Sequence, residues 1–343
     1  MSHSSRKTSA AIVTTLKSPG PTLASFLKYH EAIGFSRFFL FFDDPADRWI
    51  KLAKTFGHAR IIKTDVRLRR AWQRTTTART NPWFFQYVET ELKVRQTLNV
   101  ELAINLAQKE RIKWLLHIDC DELFYPLEGD APAHFAAMAK RKRHNLVYAN
   151  YEGIAEKIEI DDYFRKVTLF KKNFCLPRKR LNGGQQRLIK KVPQLPSHLF
   201  LFYANGKSAA RISRGLEPDG GHRFKFVNGR ALCKTANPAL CRDAIILHYP
   251  CCGFKNFWRK YKMLGAFPDR WFDQVNIVEA IGSFHLESRD VVWRGNKDAA
   301  RAFYESRAVI NEPQVVERLI NSGICCRIKG PAGLLKAQTD HSS

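Results

Sequence analysis

Two pairs of carboxylates stand at the ends of apolar runs. Asp119-Cys120-Asp121-Glu122 follows Trp114-Leu-Leu-His-Ile118, and Asp43-Asp44 follows Phe38-Phe-Leu-Phe-Phe42. A buried strand that stops on acids sets them at the carboxyl edge of a sheet, where open α/β folds take their ligands. Acids at i and i+2, with a turn between them, can close round one hard cation. Mg²⁺ and Mn²⁺ prefer carboxylate oxygens and complete their shell with phosphate oxygens, such as a diphosphate would offer, so Asp119 and Asp121 are candidate metal ligands. The competing reading of the same spacing is a helix cap or a solvated turn. Lys207 and Arg211, four apart on one expected strand, share a face and could meet phosphate or be ordinary surface cations. Gln96 and Asn105 are polar groups on the helix that precedes the second acidic run.

The elements that must hold these residues follow from hydrophobic periodicity. Apolar runs predict strands over 10–16, 37–42, 59–63 and 113–118, alternating with helical patterns over 22–33, 46–56 and 87–109. That β-α-β rhythm predicts an α/β fold with a mixed, mainly parallel sheet flanked by helices. The Arg-rich segment 67–85 interrupts the pattern and reads as a loop, with Trp72, Trp83, Phe84 and Phe85 either core or a stacking platform for a ligand ring. After Tyr151 the strands shorten, Gly and Pro increase, and helical patterning returns over 254–264, 298–309 and 312–321. No Gly/Ser/Pro linker marks a boundary near 150, which favours one continuous fold.

Taken together, Phe26-Leu-Lys-Tyr-His-Glu-Ala-Ile-Gly-Phe-Ser-Arg-Phe-Phe-Leu-Phe-Phe-Asp-Asp and Trp114-Leu-Leu-His-Ile-Asp-Cys-Asp-Glu-Leu-Phe-Tyr-Pro resemble the family 2 and family 92-like group of GT-A (Rossmann-like) glycosyltransferases. Gly206-Lys-Ser-Ala-Ala-Arg-Ile, Gly220-Gly-His-Arg-Phe and Ala244-Ile-Ile-Leu-His-Tyr249 resemble the back half of that group, in the same order. The resemblance implies a nucleoside-diphosphate sugar as donor, a UDP-sugar above others, with Mn²⁺ or Mg²⁺ as cofactor. It implies that Asp43 or Asp44 meets the base or ribose and that Asp119 and Asp121 hold the metal against the diphosphate. His248 would be a further ligand, its bland alternative being a hydrogen-bonded core histidine. Gln96 and Lys207 would stand on the donor side. An inverting transfer, implied by the resemblance alone, needs a carboxylate base to deprotonate the acceptor hydroxyl, and Glu122, Glu217 and Asp219 are the candidates. The domain reading is a disordered N-terminus over 1–9, a glycosyltransferase domain over 10–285 (donor half 10–150, acceptor half 151–285), a helical extension over 286–330 and a disordered tail over 331–343.

Bulk composition bounds the remaining choices. The 343-residue chain is 45% hydrophobic and 26% charged, at globular averages, so it can bury a full core. Its net charge of +25 attracts polyanions. Thirteen Lys or Arg and no Asp or Glu fall between Tyr163 and Leu216. The stretch 165–191 is therefore a candidate dock for an anionic membrane surface or an acidic polysaccharide acceptor. A nucleic-acid-binding module would suit the charge but gives no role to acids at strand ends, which repel phosphate without a cation. A catalytically inactive scaffold of the same fold is the third reading. Eight cysteines, at 120, 175, 233, 241, 251, 252, 325 and 326, miss zinc spacings and read as free thiols in a reducing compartment. Without a signal-peptide core or membrane span, the expected place is the cytoplasm, or its membrane periphery.

Overall fold

The computed structural model describes residues 8–228, 231–232 and 238–340. Strands of the first half are β1 (Ala10–Leu16), β2 (Arg37–Phe42), β3 (Ala59–Lys63), β4 (Trp114–His117), β5 (Glu122–Pro126) and β6 (Asn145–Gly153). Those of the second are β7 (Leu169–Lys171), β8 (Lys207–Arg211), β9 (Leu216–Asp219), β10 (Arg223–Asn228), β11 (Ala231–Leu232), β12 (Ala239–His248) and β13 (Cys325–Arg327). The chain folds as two compact units, residues 1–149 with 206–246, and residues 150–205 with 247–343.

In the first unit every residue of β1 is buried, as is β2 from Phe38 to Phe42. Successive strand residues point to opposite faces, so both faces of this sheet are covered, the condition for parallel pairing. The strand order is β6-β8-β4-β1-β2-β3. β1 pairs in parallel with β2 and β4, and β2 with β3. β8 runs antiparallel to β4 and β6. This is the expected mixed, mainly parallel α/β fold of Rossmann-like kind, and the helix Leu92–Lys109 packs on it.

The Arg-rich segment differs from the expected loop: it forms the helices Val66–Gln73, Thr76–Thr80 and Pro82–Phe85. Asp65, Thr75 and Asn81 each accept a backbone N–H at the start of one of them, a capping pattern that an Arg count hides. Trp72 is 1% exposed and donates Nε1–H to Asn99, whose Nδ2 reaches Thr15 of β1, so this indole is core.

In the second unit β7 pairs with Glu152 and Gly153 of β6 on one side and with β13 on the other. Ile154, Leu169, Ile189, Leu319 and Ile324 form its core. Helices Phe254–Leu264, Phe284–Trp293 and Lys297–Ala308 pack through Phe257, Phe284 and Tyr304. Residues expected as a disordered tail form the helix Gly330–Asp340. It buries Ala332 and Leu335, and Leu335 O accepts from Arg165. Among the described residues no cysteine forms a disulfide, and Cys233 lies outside them. Among the described residues no helix is long and apolar enough to cross a membrane.

Candidate active site

The order β3-β2-β1-β4 makes the site. The chain winds outward from β1 through β2 to β3, then returns to place β4 on the other side of β1. Connections therefore leave the carboxyl ends of β1 and β4 in opposite directions and open a crevice there. Asp119 to Asp121 lie between Ile118, just past β4, and Glu122, the first residue of β5, and Asp43 follows β2 directly.

Consecutive residues of the long helix hold these acids. Arg95 makes a two-pronged ion pair with Asp43, Nε to Oδ1 at 2.6 Å and Nη2 to Oδ2 at 3.0 Å. Gln96 Nε2 donates to Asp119 Oδ1 at 2.9 Å. The other Asp119 oxygen accepts from Lys207 Nζ at 2.5 Å, and Lys207 stands 3.4 Å from Glu122 Oε2. Glu122 in turn accepts Asp119 N–H at 2.8 Å, which closes the turn on itself. Lys207 reaches the acids because β8 lies antiparallel on β4, with Ser208 opposite His117.

The helix Leu23–Ala32 fixes the strand leaving this turn. His30 Nε2 accepts Phe124 N–H at 3.1 Å, and Tyr29 Oη donates to Phe124 O at 3.0 Å. With Nε2 accepting, His30 Nδ1 carries the proton and donates to Phe26 O at 2.8 Å. Burial lowers this histidine to about 3, against a smaller opposing effect from that backbone bond.

Electrostatically the cluster is an acidic spot in a basic chain. Burial opposes the charge on Asp119, yet Lys207, His117 and His222 hold its carboxyl below the usual range. Burial pushes Glu122 well up, with Lys207 opposing and Asp119 and Asp121 adding to it. Burial disfavours charge on Lys207, but Asp119 and Glu122 keep its ammonium above the ordinary lysine value. His117 is 1% exposed and lowered by burial to about 3, and both its ring nitrogens lack a hydrogen-bond partner among the described residues. Burial also lowers His222 well below its ordinary value. Asp119, Asp121 and Glu122 thus share a single buried ammonium, that of Lys207.

Three carboxyl groups to one ammonium, with both His117 ring nitrogens orphaned beside them, fit a bound cation. Among the described residues no group of three or more His, Cys, Asp and Glu side chains stands together as a cage. Two carboxylates suffice for Mg²⁺-type binding where substrate phosphates and water supply the rest.

The first unit thus brings Asp119, Asp121, Glu122, Gln96 and Lys207 together. Gly221 joins them, since a Cβ there would sit 3.4 Å from Gln96 Oε1, and Gly220 just before it has φ +71°. His222 Nδ1 donates to Gly206 O at 3.1 Å, and the His222 carbonyl accepts from Ser208 Oγ. Glu217 lies on β9, 3.7 Å from Lys225, and Asp219 is exposed opposite Arg223. Asp43 has both oxygens on Arg95, whereas Asp44 is exposed and caps Ala46 N–H. His248 ends β12 in the second unit, stacked on Tyr203 at 4.8 Å. Sequence reasoning missed Arg95 and His117. A histidine inside the apolar run two residues before Asp119 was the available signal for one, and Arg95 carries none by itself.

The fold and site define a Rossmann-like α/β chain with carboxylates at a strand-order reversal. No family model matches it. A protein of Arabidopsis thaliana named glycosyltransferase-like is 28% identical over 94% of this chain and 71% of its own length. A second, named likewise, is 26% identical over 97% of this chain and 64% of its own. Both names are consistent with a transferase. Among solved structures, core-mannan synthase A from Aspergillus fumigatus in its Mn/GDP form is similar at a TM-score of 0.30, with 12% identity, over 62% of this chain and 61% of that one. The mannosyltransferase Ktr4p of Saccharomyces cerevisiae gives 0.26 with 9% identity, over 45% and 41%. Likenesses that weak carry no argument about activity.

Proposed function

We propose that this chain is a glycosyltransferase moving a sugar from a nucleoside diphosphate, UDP as the expected carrier, to a carbohydrate, lipid or protein hydroxyl. The observation that carries the reading is the Asp119–Gln96–Lys207 cluster at the β1/β4 reversal, on a chain related over nearly its whole length to glycosyltransferase-like proteins. Asp119 and Asp121 would hold the divalent cation, Mn²⁺ or Mg²⁺, which supplies positive charge to the leaving diphosphate when bound. Lys207, buried and charged, adds a fixed positive charge to the same place without reorganisation. Gln96 orients Asp119, and Arg95 fixes the end of β2 through Asp43, leaving exposed Asp44 for the nucleoside.

Of the candidate bases, Glu122 is fully buried against Asp119 N–H and cannot reach an acceptor proton, so its part is to shape the turn. Asp219 is exposed two residues before Gly221, beside Gln96, and is the base in this reading, with Glu217 turned to Lys225. The exposed cations Arg178, Lys179, Arg180, Lys190 and Lys191 of the second unit are the proposed dock for an anionic membrane or acidic polysaccharide.

Thermal shift with a panel of nucleotide sugars, with and without Mn²⁺, tests the reading, because a ligand of the native state raises its apparent stability. A UDP-sugar should stabilise the protein in a Mn²⁺-dependent way, and Asp121→Asn should abolish that shift. Asp219→Asn should keep the shift and lose transfer. The absence of a shift with every donor would overturn the proposal.

A further inference from the structure

The helix Val66–Gln73 carries a second cluster whose chemistry differs from the first. Asp65 caps it through Leu68 N–H at 2.9 Å, and its inner face is fixed by Leu68 and by the buried indole of Trp72. Arg67, Arg70 and Arg74 fall at i, i+3 and i+7 and so share the opposite face. All three are exposed, and with Thr75, Leu102 and Asn105 they line a cleft of about 450 Å³.

The neighbouring carboxylates are all committed elsewhere. Glu89 pairs with Arg69, Asp65 caps the helix, and the buried Glu101 accepts Thr76 N–H and Thr77 N–H. Among the described residues none pairs with Arg67, Arg70 or Arg74. Three guanidinium groups on a rigid support, without an acid between them, repel one another until an anion enters. Guanidinium forks match phosphate oxygens two at a time, which an ammonium does not. The cleft volume lies within the roughly 300–1,000 Å³ of ligand sites. Leu102 gives it an apolar wall beside the charges.

We infer that this cleft binds a small ligand bearing clustered phosphates, either free or as the headgroup of a lipid. The site is separate from the one around Asp119. Gln96 and Asn105 are nine residues apart on one helix, about 13 Å along its axis, so the inference does not rest on the donor reading.

The test compares wild type with the Arg67→Ala/Arg70→Ala/Arg74→Ala triple and with Lys207→Met. Inorganic tripolyphosphate and inositol hexakisphosphate are titrated by calorimetry at physiological salt. Phosphatidylcholine vesicles, with and without phosphatidylinositol bisphosphate, are tested by co-sedimentation. Charge-assisted hydrogen bonds from three arginines predict about a hundredfold weaker polyphosphate binding in the triple and none lost in Lys207→Met. Bisphosphate-dependent vesicle binding that the triple loses assigns the lipid-borne form. Loss confined to the soluble polyphosphates assigns the free one. The inference is overturned if the triple binds as wild type does, if Lys207→Met with its native circular dichroism intact abolishes binding, or if single-stranded DNA displaces tripolyphosphate at equal phosphate concentration.

Discussion

Replacing Lys207 by Met keeps most of the side-chain length and removes the charge. The ammonium is 0% exposed and serves two carboxylates, Asp119 at 2.5 Å and Glu122 at 3.4 Å. Deleting one partner of a buried ion pair costs about 3–5 kcal/mol, because the remaining charge stays in a low dielectric. Asp119 is 28% exposed and keeps Gln96, so water and that amide absorb part of its loss. Glu122 is fully buried, and most of the cost falls there. A carboxyl whose folded pKa stands above its unfolded value weighs against the fold at high pH and stops doing so once it is protonated. Lys207→Met raises the folded pKa of Glu122 further, so the deficit should be about 3–5 kcal/mol at pH 8 and shrink on acidification, by at most about 1.4 kcal/mol per pH unit. Urea unfolding of wild type and variant in parallel at pH 8, 7 and 6 reads the difference directly. A deficit under about 1 kcal/mol at pH 8, or one that grows as pH falls, refutes the claim that Lys207 neutralises buried acids.

Other consequences are as concrete. His30 and His134 are lowered by burial to about 3 and about 4. The unfolded chain therefore binds protons below about pH 6.5 that the folded one refuses, and each residue should remove about 2 kcal/mol of stability by pH 5. His30→Ala should flatten that dependence, as well as destabilise the fold at neutral pH, and an unchanged pH slope would count against the assignment. Gly215 has φ +77°, and a Cβ there would lie 2.1 Å from Val227 O, whereas Gly295 has φ +79° in open space. Gly215→Ala should prevent soluble expression, and Gly295→Ala should cost only about 1 kcal/mol of left-handed strain, so equal behaviour of the two would be wrong for this packing. In the second unit Glu152 is buried, paired with Lys171, and accepts Leu201 N–H and Phe202 N–H at 2.8 and 3.0 Å. Glu152→Gln should cost about 3–5 kcal/mol in chemical denaturation, and adding Lys171→Met should recover part of it by removing the unpaired charge.

Much of the first unit was legible because its signals are local. The apolar runs that became β1, β2 and β4 are continuous, as strands covered on both faces must be. The Arg-rich segment was not legible. Its helices are short, and the indole and leucine that anchor them are two residues in a field of cations. The ion-pair partner of Asp43 met the same limit. An arginine 52 positions later takes both its oxygens, and only folding makes them neighbours.

The amino-acid sequence by itself determined where strands end and that they end on acids, since hydrophobic runs and the charges that stop them are read within a few residues. Only the tertiary structure decided what those acids face. Lys207 lies 88 positions from Asp119 and is spelled like any surface lysine, yet antiparallel pairing of β8 on β4 buries it against two carboxylates. Burial and Coulomb attraction depend on distance in space, and a charge pair that spans the chain leaves no periodic trace along it.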